Sequence, residues 1–187
     1  MTHTIAVIVG SLRKDSHNRR LADALASLAP EGFALRQLRI DDLPPYNQDH
    51  DADQAAPVKR LKSEIRASDG VIFVTPEYNR SIPGVLKNAI DHASRPYGDS
   101  AFEGKPAGIV GISIGAVGTA VAQNHLRDVL AYLDMPALGQ PEMFLHYKDG
   151  FFDNEKTREH LKKWVLRYAE WVRAHANAGG AGARKAA

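Results

Sequence analysis

Cysteine is absent from the 187-residue chain. Its absence excludes a disulfide framework, a thiolate nucleophile, an iron–sulfur cluster and a cysteine zinc site. An excess of charge of one sign is also missing: 24 Lys and Arg stand against 22 Asp and Glu. Nucleic-acid binding needs a basic face, so no nucleic-acid partner is expected. Setting aside Arg184 and Lys185 near the C-terminus leaves a formally neutral remainder. Long apolar runs are lacking too. The stretch Ile5 to Val9 is too short for a signal-peptide core or a membrane span. No membrane partner is expected, and a cytoplasmic location is the default reading. The eight histidines, at 3, 17, 50, 92, 125, 146, 160 and 175, include no pair at i,i+3 or i,i+4. They suggest no metal site.

What is present describes an ordinary globular chain, 44% hydrophobic and 25% charged. The length fits one domain, read here as residues 1–176. Residues 177–187, rich in Ala and Gly, read as a disordered tail. The pattern alternates strand and helix. Continuous apolar runs at 4–9, 70–74 and 106–112 predict strands buried on both faces, and 33–40 reads as a further strand. Helical periodicity covers 18–28, 58–68, 84–94, 118–133 and 155–175, with something extended at about 137–146. The low-regularity stretch from Asp41 to Pro57 is long enough to suggest function. Five βα units predict an α/β fold: a parallel five-stranded sheet with helices on both faces. Such sheets bind ligands at the carboxyl ends of their strands.

Two of the loops at that edge carry chemistry. Gly10 to Asn18 leaves a buried strand and enters a helix. Ser11 and Ser16 offer hydroxyls, Asn18 an amide and Arg13 a planar cation, beside the free N–H groups of a helix start. The loop is neither G-x-G-x-x-G nor a Walker A sequence, so a terminal monophosphate fits better than a dinucleotide pyrophosphate. A structural alternative makes Ser16 a helix N-cap and Arg13 a solvated charge. Thr75 to Gly84 holds Glu77, Tyr78 and Asn79 between two prolines. It reads as a rigid surface for a flat polar ring, or as a structural turn.

The two stretches Gly10-Ser11-Leu12-Arg13-x-x-Ser16-x-Asn18 and Pro76-Glu77-Tyr78-Asn79-x-Ser81-x-Pro83-Gly84-x-Leu86-Lys87-Asn88-Ala89-Ile90-Asp91 together resemble the NADPH-dependent FMN reductases, in their quinone and chromate reductase branch. The likeness runs from residue 4 to about 170. It implies a flavodoxin-like three-layer sandwich with non-covalent FMN. Ser11, Arg13, Ser16 and Asn18 would hold the phosphate, with His17 in the same loop as a neighbour. Pro76, Glu77, Tyr78 and Asn79 would line the isoalloxazine, and Ser113 and Gly115 would supply a third contact. In Gly115-Ala116-Val117-Gly118-Thr119, Thr119 stands where the family usually has a second glycine, which bears on the shape of the pocket. NADPH or NADH would be the reductant. A small-molecule acceptor (a quinone, chromate, an azo dye or free flavin) would take two electrons in a ping-pong sequence. No protein side chain is needed as a nucleophile. The resemblance also implies a homodimer or homotetramer.

Two rival readings arise. Gly111-Ile112-Ser113-Ile114-Gly115 is a formal G-x-S-x-G, which would make Ser113 the nucleophile of a serine hydrolase with Asp153 and His160, or Asp134 and His146. A flavodoxin-like electron carrier is the other, although carriers of that kind are usually strongly acidic and this chain is near neutral.

Overall fold

The computed structural model describes residues 2–182, with side chains as far as residue 175. Five strands, β1 (His3–Val9), β2 (Phe33–Leu38), β3 (Gly70–Val74), β4 (Ala107–Ser113) and β5 (Phe144–His146), form one sheet in the order β2-β1-β3-β4-β5. Every pairing is parallel. This is the flavodoxin-like order, whose topological switch lies between β1 and β3. The expected fold class is therefore observed. Five helices, α1 (His17–Ser27), α2 (Ala56–Arg66), α3 (Gly84–Ala93), α4 (Ala120–Tyr132) and α5 (Glu155–Gly182), cover both faces. None of the described helices is long and apolar enough to cross a membrane.

Alternation along the strands divides the core. Ile5, Val7, Ile72, Val74, Val110 and Ile112 face α1 and α5, with Leu21, Leu25, Trp164 and Tyr168 opposite. Ala6, Ile8, Val71, Phe73 and Ile109 face α2, α3 and α4, with Leu61, Ile65, Leu86, Ile90, Leu126 and Leu130 opposite. Burial on both faces explains why the central strands read as unbroken apolar runs.

Three boundaries differ from the sequence reading. The second strand ends at Leu38 rather than residue 40, because Arg39 turns aside to pair with Asp41 at 2.7 Å. The extended stretch at 137–146 contributes only Phe144–His146 as a strand, plus an isolated bridge from Ala137 to Ala107. Pro136 and Pro141 carry no N–H for a ladder. The last helix continues through Gly182, and the remainder of the expected tail, 183–187, lies outside the described residues.

The long stretch after β2 is ordered as a strap. It contains a short 3-10 turn at Gln48–Asp53 and is fixed to α3. Asn88 Nδ2 donates to the Pro44 carbonyl at 2.9 Å, His92 Nε2 bonds the same oxygen at 2.8 Å, and the Tyr46 N–H donates to Asn88 Oδ1 at 2.8 Å.

Candidate functional site

The loops after β1, β3 and β4 emerge side by side, because these strands are neighbours in the sheet. Gly10 lets the first loop close against the third: a Cβ there would meet Leu86 at 3.3 Å and Pro76 at 3.4 Å.

Ser16 is the N-cap of α1, its Oγ accepting the Arg19 N–H at 3.3 Å. The oxygen caps the helix start as an acceptor, which leaves the hydroxyl hydrogen to donate. Ser11 is buried at the mouth of the same loop, whereas Arg13 and Lys14 are exposed. Among the described residues, no backbone N–H from Ser11 to Asn18 donates to a protein acceptor. These donors surround the positive end of α1, which favours an anion. Asn18 is engaged elsewhere. Its Nδ2 donates to the Ile112 carbonyl at 2.9 Å, and its Oδ1 accepts the Ile112 N–H at 3.1 Å. The side chain therefore fixes the first loop to β4.

His17 stacks on Tyr147 with ring centroids 3.7 Å apart, and its buried Nδ1 has no protein partner. Burial first, and then the positive charges of Arg13 and Arg20, hold its pKa below the ordinary imidazole value. Arg20 itself lies over the Phe152 ring at 4.5 Å. Positive charge thus gathers beside the start of α1, and among the described residues no carboxylate forms an ion pair with Arg13, Lys14 or Arg20. That donor set, with the unpartnered imidazole nitrogen, fits the phosphate of FMN.

The third loop is a miniature hairpin. Tyr78 and Ser81 exchange N–H···O bonds of 3.0 Å each way around Asn79 and Arg80. Asn79 and Arg80 adopt φ of 52° and 64°, the left-handed conformation of a two-residue turn. Pro76 is buried beneath it, with Thr75 Oγ1 donating to the Pro76 carbonyl at 2.7 Å. Tyr78 stays 48% exposed. Glu77 turns away from this surface, with its side chain only 7% exposed. Its carboxylate accepts the N–H groups of Val121 and Ala122 at the start of α4, at 3.0 and 3.1 Å.

Ser113 ends β4, and its Oγ accepts the Gly115 N–H at 3.1 Å. The loop beyond it presents Ile114, 75% exposed, and Val117. Thr119 does not reach that surface. It is fully buried, its Oγ1 accepting from Gln123 Nε2 at 2.8 Å. The hydrolase geometry does not form. His146 Nε2 bonds the Ile114 carbonyl at 3.1 Å, and His160 is exposed on α5. The Asp134 carbonyl accepts from Gly104, before β4 begins, at the opposite end of the strand from Ser113.

Leu12, Tyr78, Ile114 and Val117 are exposed apolar residues contributed by three different loops of one edge. They make a rim suited to a flat aromatic ring. A cleft of about 330 Å³, lined by Leu12, Ile40, Leu43, Pro45, Val85 and Asn88 among others, continues it toward the strap. A larger groove, about 660 Å³, lies instead between α3 and α4. Asn88 and His92, which anchor the strap, were not singled out as functional from sequence. Their i,i+4 spacing on one helix face was the available signal.

Comparison with known proteins places the chain in a family. Residues 3–150 match the sequence model of the NADPH-dependent FMN reductases. A 2-hydroxy-1,4-benzoquinone reductase of a Burkholderia species is 51% identical over 179 residues, covering 92% of this chain and 98% of that protein. A quinone reductase of Pseudomonas putida is 50% identical over 177 residues, covering 91% and 95%. Among solved structures, FerB of Paracoccus denitrificans, a flavoenzyme NAD(P)H:(acceptor) oxidoreductase, superposes with a TM-score of 0.89. It is 42% identical, over 93% of this chain and 99% of that one.

Proposed function

The chain belongs to the NADPH-dependent FMN reductase family, and from that premise we propose that it is an FMN-dependent NAD(P)H:quinone reductase working at the carboxyl edge of β1, β3 and β4. The observation that carries this reading is the pairing, on one edge, of a loop and helix start whose N–H groups from Ser11 to Asn18 have no protein acceptor among the described residues, with an apolar rim. The first suits a phosphate and the second a planar ring. Bound FMN would supply the chemistry, taking a hydride from NADPH or NADH and delivering two electrons to a quinone-type acceptor.

The protein's part is to bind, orient and exclude. The N–H groups of Ser11 to His17 and the Arg13 guanidinium hold the phosphate, with Ser11 closing the loop from below. The Pro76–Asn79 hairpin and the Ser113–Gly115 turn flank the ring. Leu12, Tyr78, Ile114 and Val117 keep its surroundings apolar while leaving room for a second planar molecule. One open face then serves donor and acceptor in turn, which gives parallel double-reciprocal lines. Across the cycle, NAD(P)H, a proton and a quinone become NAD(P)⁺ and a hydroquinone. Chromate, azo dyes and free flavin are further acceptors that such an open face would admit.

The purified protein should be yellow, and NADPH added without oxygen should bleach it and then restore colour on addition of a benzoquinone. A colourless protein that FMN cannot reconstitute overturns the reading.

The proposal includes a homodimer formed through the α3–α4 groove. That groove carries Lys87 and Arg95 together with Asp128 and Asp134, and Tyr97 and Tyr132 stand exposed at 85% and 76%. Cations and anions on one patch are self-complementary under a two-fold axis. A cytoplasmic location accompanies the proposal, since the nicotinamide reductant is found there; cell fractionation tests it.

A further inference from the structure

We propose that Glu77 is a positioning residue for FMN, acting through α4 and the hairpin rather than by touching the cofactor. The inference rests on the placement of the FMN site at the carboxyl edge. Helix α4 begins without a cap of its own: Thr119 occupies the N-cap position and makes no side-chain cap bond. Its hydroxyl is held by Gln123, whose Nε2 also donates to the Met143 carbonyl at 2.8 Å. The missing acceptor arrives from another loop. One oxygen of Glu77, Oε2, receives both Val121 and Ala122 N–H groups at 3.0 and 3.1 Å. The other, Oε1, receives Arg80 NH1 at 3.1 Å. A desolvated carboxylate at a positive helix end, with a guanidinium on its far side, is a strong and directional arrangement.

What it holds is the hairpin. Asn79 and Arg80 are non-glycine residues at positive φ, a conformation that persists where the surroundings over-determine it. The Arg80–Glu77 bond is one such constraint. A second tether, His125 Nδ1 to Ser81 Oγ at 3.1 Å, joins the other strand of the hairpin to α4. Tyr78 lies between the two tethers. Its position relative to the Ser113–Gly118 turn, which leads directly into α4, is therefore set by the length of the Glu77 side chain. The two turns are the walls between which the ring is placed. The same capping removes α4 as a competing anion site.

The property required is reach: an oxygen at the end of a three-carbon side chain. Glu77→Gln keeps that oxygen and removes the charge, Glu77→Asp keeps the charge and shortens the reach, and Glu77→Ala removes both. FMN affinity is read by fluorescence quenching on the full-length apoprotein, with visible circular dichroism of the bound flavin and Arg13→Ala measured in parallel. Glu77→Gln keeps an acceptor for the α4 N–H groups but turns an NH2 toward the Arg80 donor, so its affinity and dichroism should fall between those of the parent and of Glu77→Ala. Glu77→Asp and Glu77→Ala should each weaken binding about tenfold, as expected for loss of charge-assisted hydrogen bonds, and share an altered dichroism. If Arg13→Ala weakens binding while Glu77→Asp and Glu77→Ala leave affinity and dichroism unchanged, the site stands and the positioning role is overturned. If Glu77→Gln behaves like Glu77→Ala while Glu77→Asp does not, charge rather than reach is the property, which also overturns it. If neither Arg13→Ala nor the Glu77 variants alter binding, the site itself is misplaced. Should Glu77→Ala not fold, the Gln and Asp pair decides.

Discussion

At the residue scale the site separates side chains that hold a ligand from those that hold the loops. Arg13 is exposed beside the open α1 start, so Arg13→Ala should leave the fold intact and weaken FMN binding. Loss of one charge-assisted contact costs about 1.5–3 kcal/mol, or about ten- to a hundred-fold in Kd. Riboflavin, which has no phosphate, should bind the two proteins equally. Unchanged FMN affinity on titration would remove Arg13 from the site. His17 gives a pH signature in the apoprotein. Its folded pKa is depressed by burial and by Arg13 and Arg20, so protonation favours the unfolded chain. Stability is therefore greatest above the ordinary imidazole value and declines as pH falls through it toward the folded value. His17→Phe should flatten that part of the Tm profile. Sequence made the loop legible but not the division of labour within it. Ser16 can be read as a cap because its partner, Arg19, is three residues away. Asn18 bonds Ile112 and Glu77 bonds Val121 and Ala122. No local pattern reports partners that only the folded sheet brings together.

At the scale of elements, β4 shows how small residues make room. A Cβ on Gly108 would come within 2.8 Å of the Tyr168 ring, which is stacked on Trp164 of α5. On the opposite face, a Cβ on Gly111 would fall 2.2 Å from both Thr119 Oγ1 and the Thr75 carbonyl. The second obstacle is partly backbone and cannot rotate away. Gly111→Ala should therefore destabilise by about 3 kcal/mol in urea unfolding, at the upper end of overpacking effects. Gly84→Ala, with nothing within 4 Å, should be neutral or slightly stabilising in the first turn of α3. Helix faces were the most legible feature of the chain. Leu161, Trp164, Val165, Tyr168 and Val172 of α5 are all buried as their spacing predicts. The segment after α3 was not legible, because it is held by charge across the chain. Asp99 accepts from Lys62 Nζ at 2.8 Å and also pairs with Arg66, both on α2. The bonds from Arg66 and then Lys62 pull the Asp99 carboxyl down to about 2. A carboxyl depressed in the folded state contributes stability above its unfolded pKa and loses it as pH falls through the folded one. Asp99 is half exposed and solvent-screened, so Asp99→Asn should cost only about 1 kcal/mol at pH 7. Denaturation curves of the two proteins should converge as pH falls from about 4 toward about 2.

For the whole molecule, the parallel sheet and the layering of helices were readable because the central strands are buried on both faces and each helix on one. Assembly was readable only as an implication of resemblance. In the structure it reduces to a test of one face: Tyr132→Glu in the α3–α4 groove should give a monomer by light scattering, with the spectrum of bound FMN unchanged. A dimer that survives this substitution would place the interface elsewhere. The margins of the sheet bear on the same question. At one margin β5 is three residues long, and at the other β2 spans six and carries exposed Arg36 and Gln37. A strand so short offers little backbone to a visiting strand, and a charged edge resists one. Two copies of this chain thus have little means of joining by sheet extension. The protein should withstand high concentration without drifting into fibrillar aggregates, growing only as far as its helical faces allow.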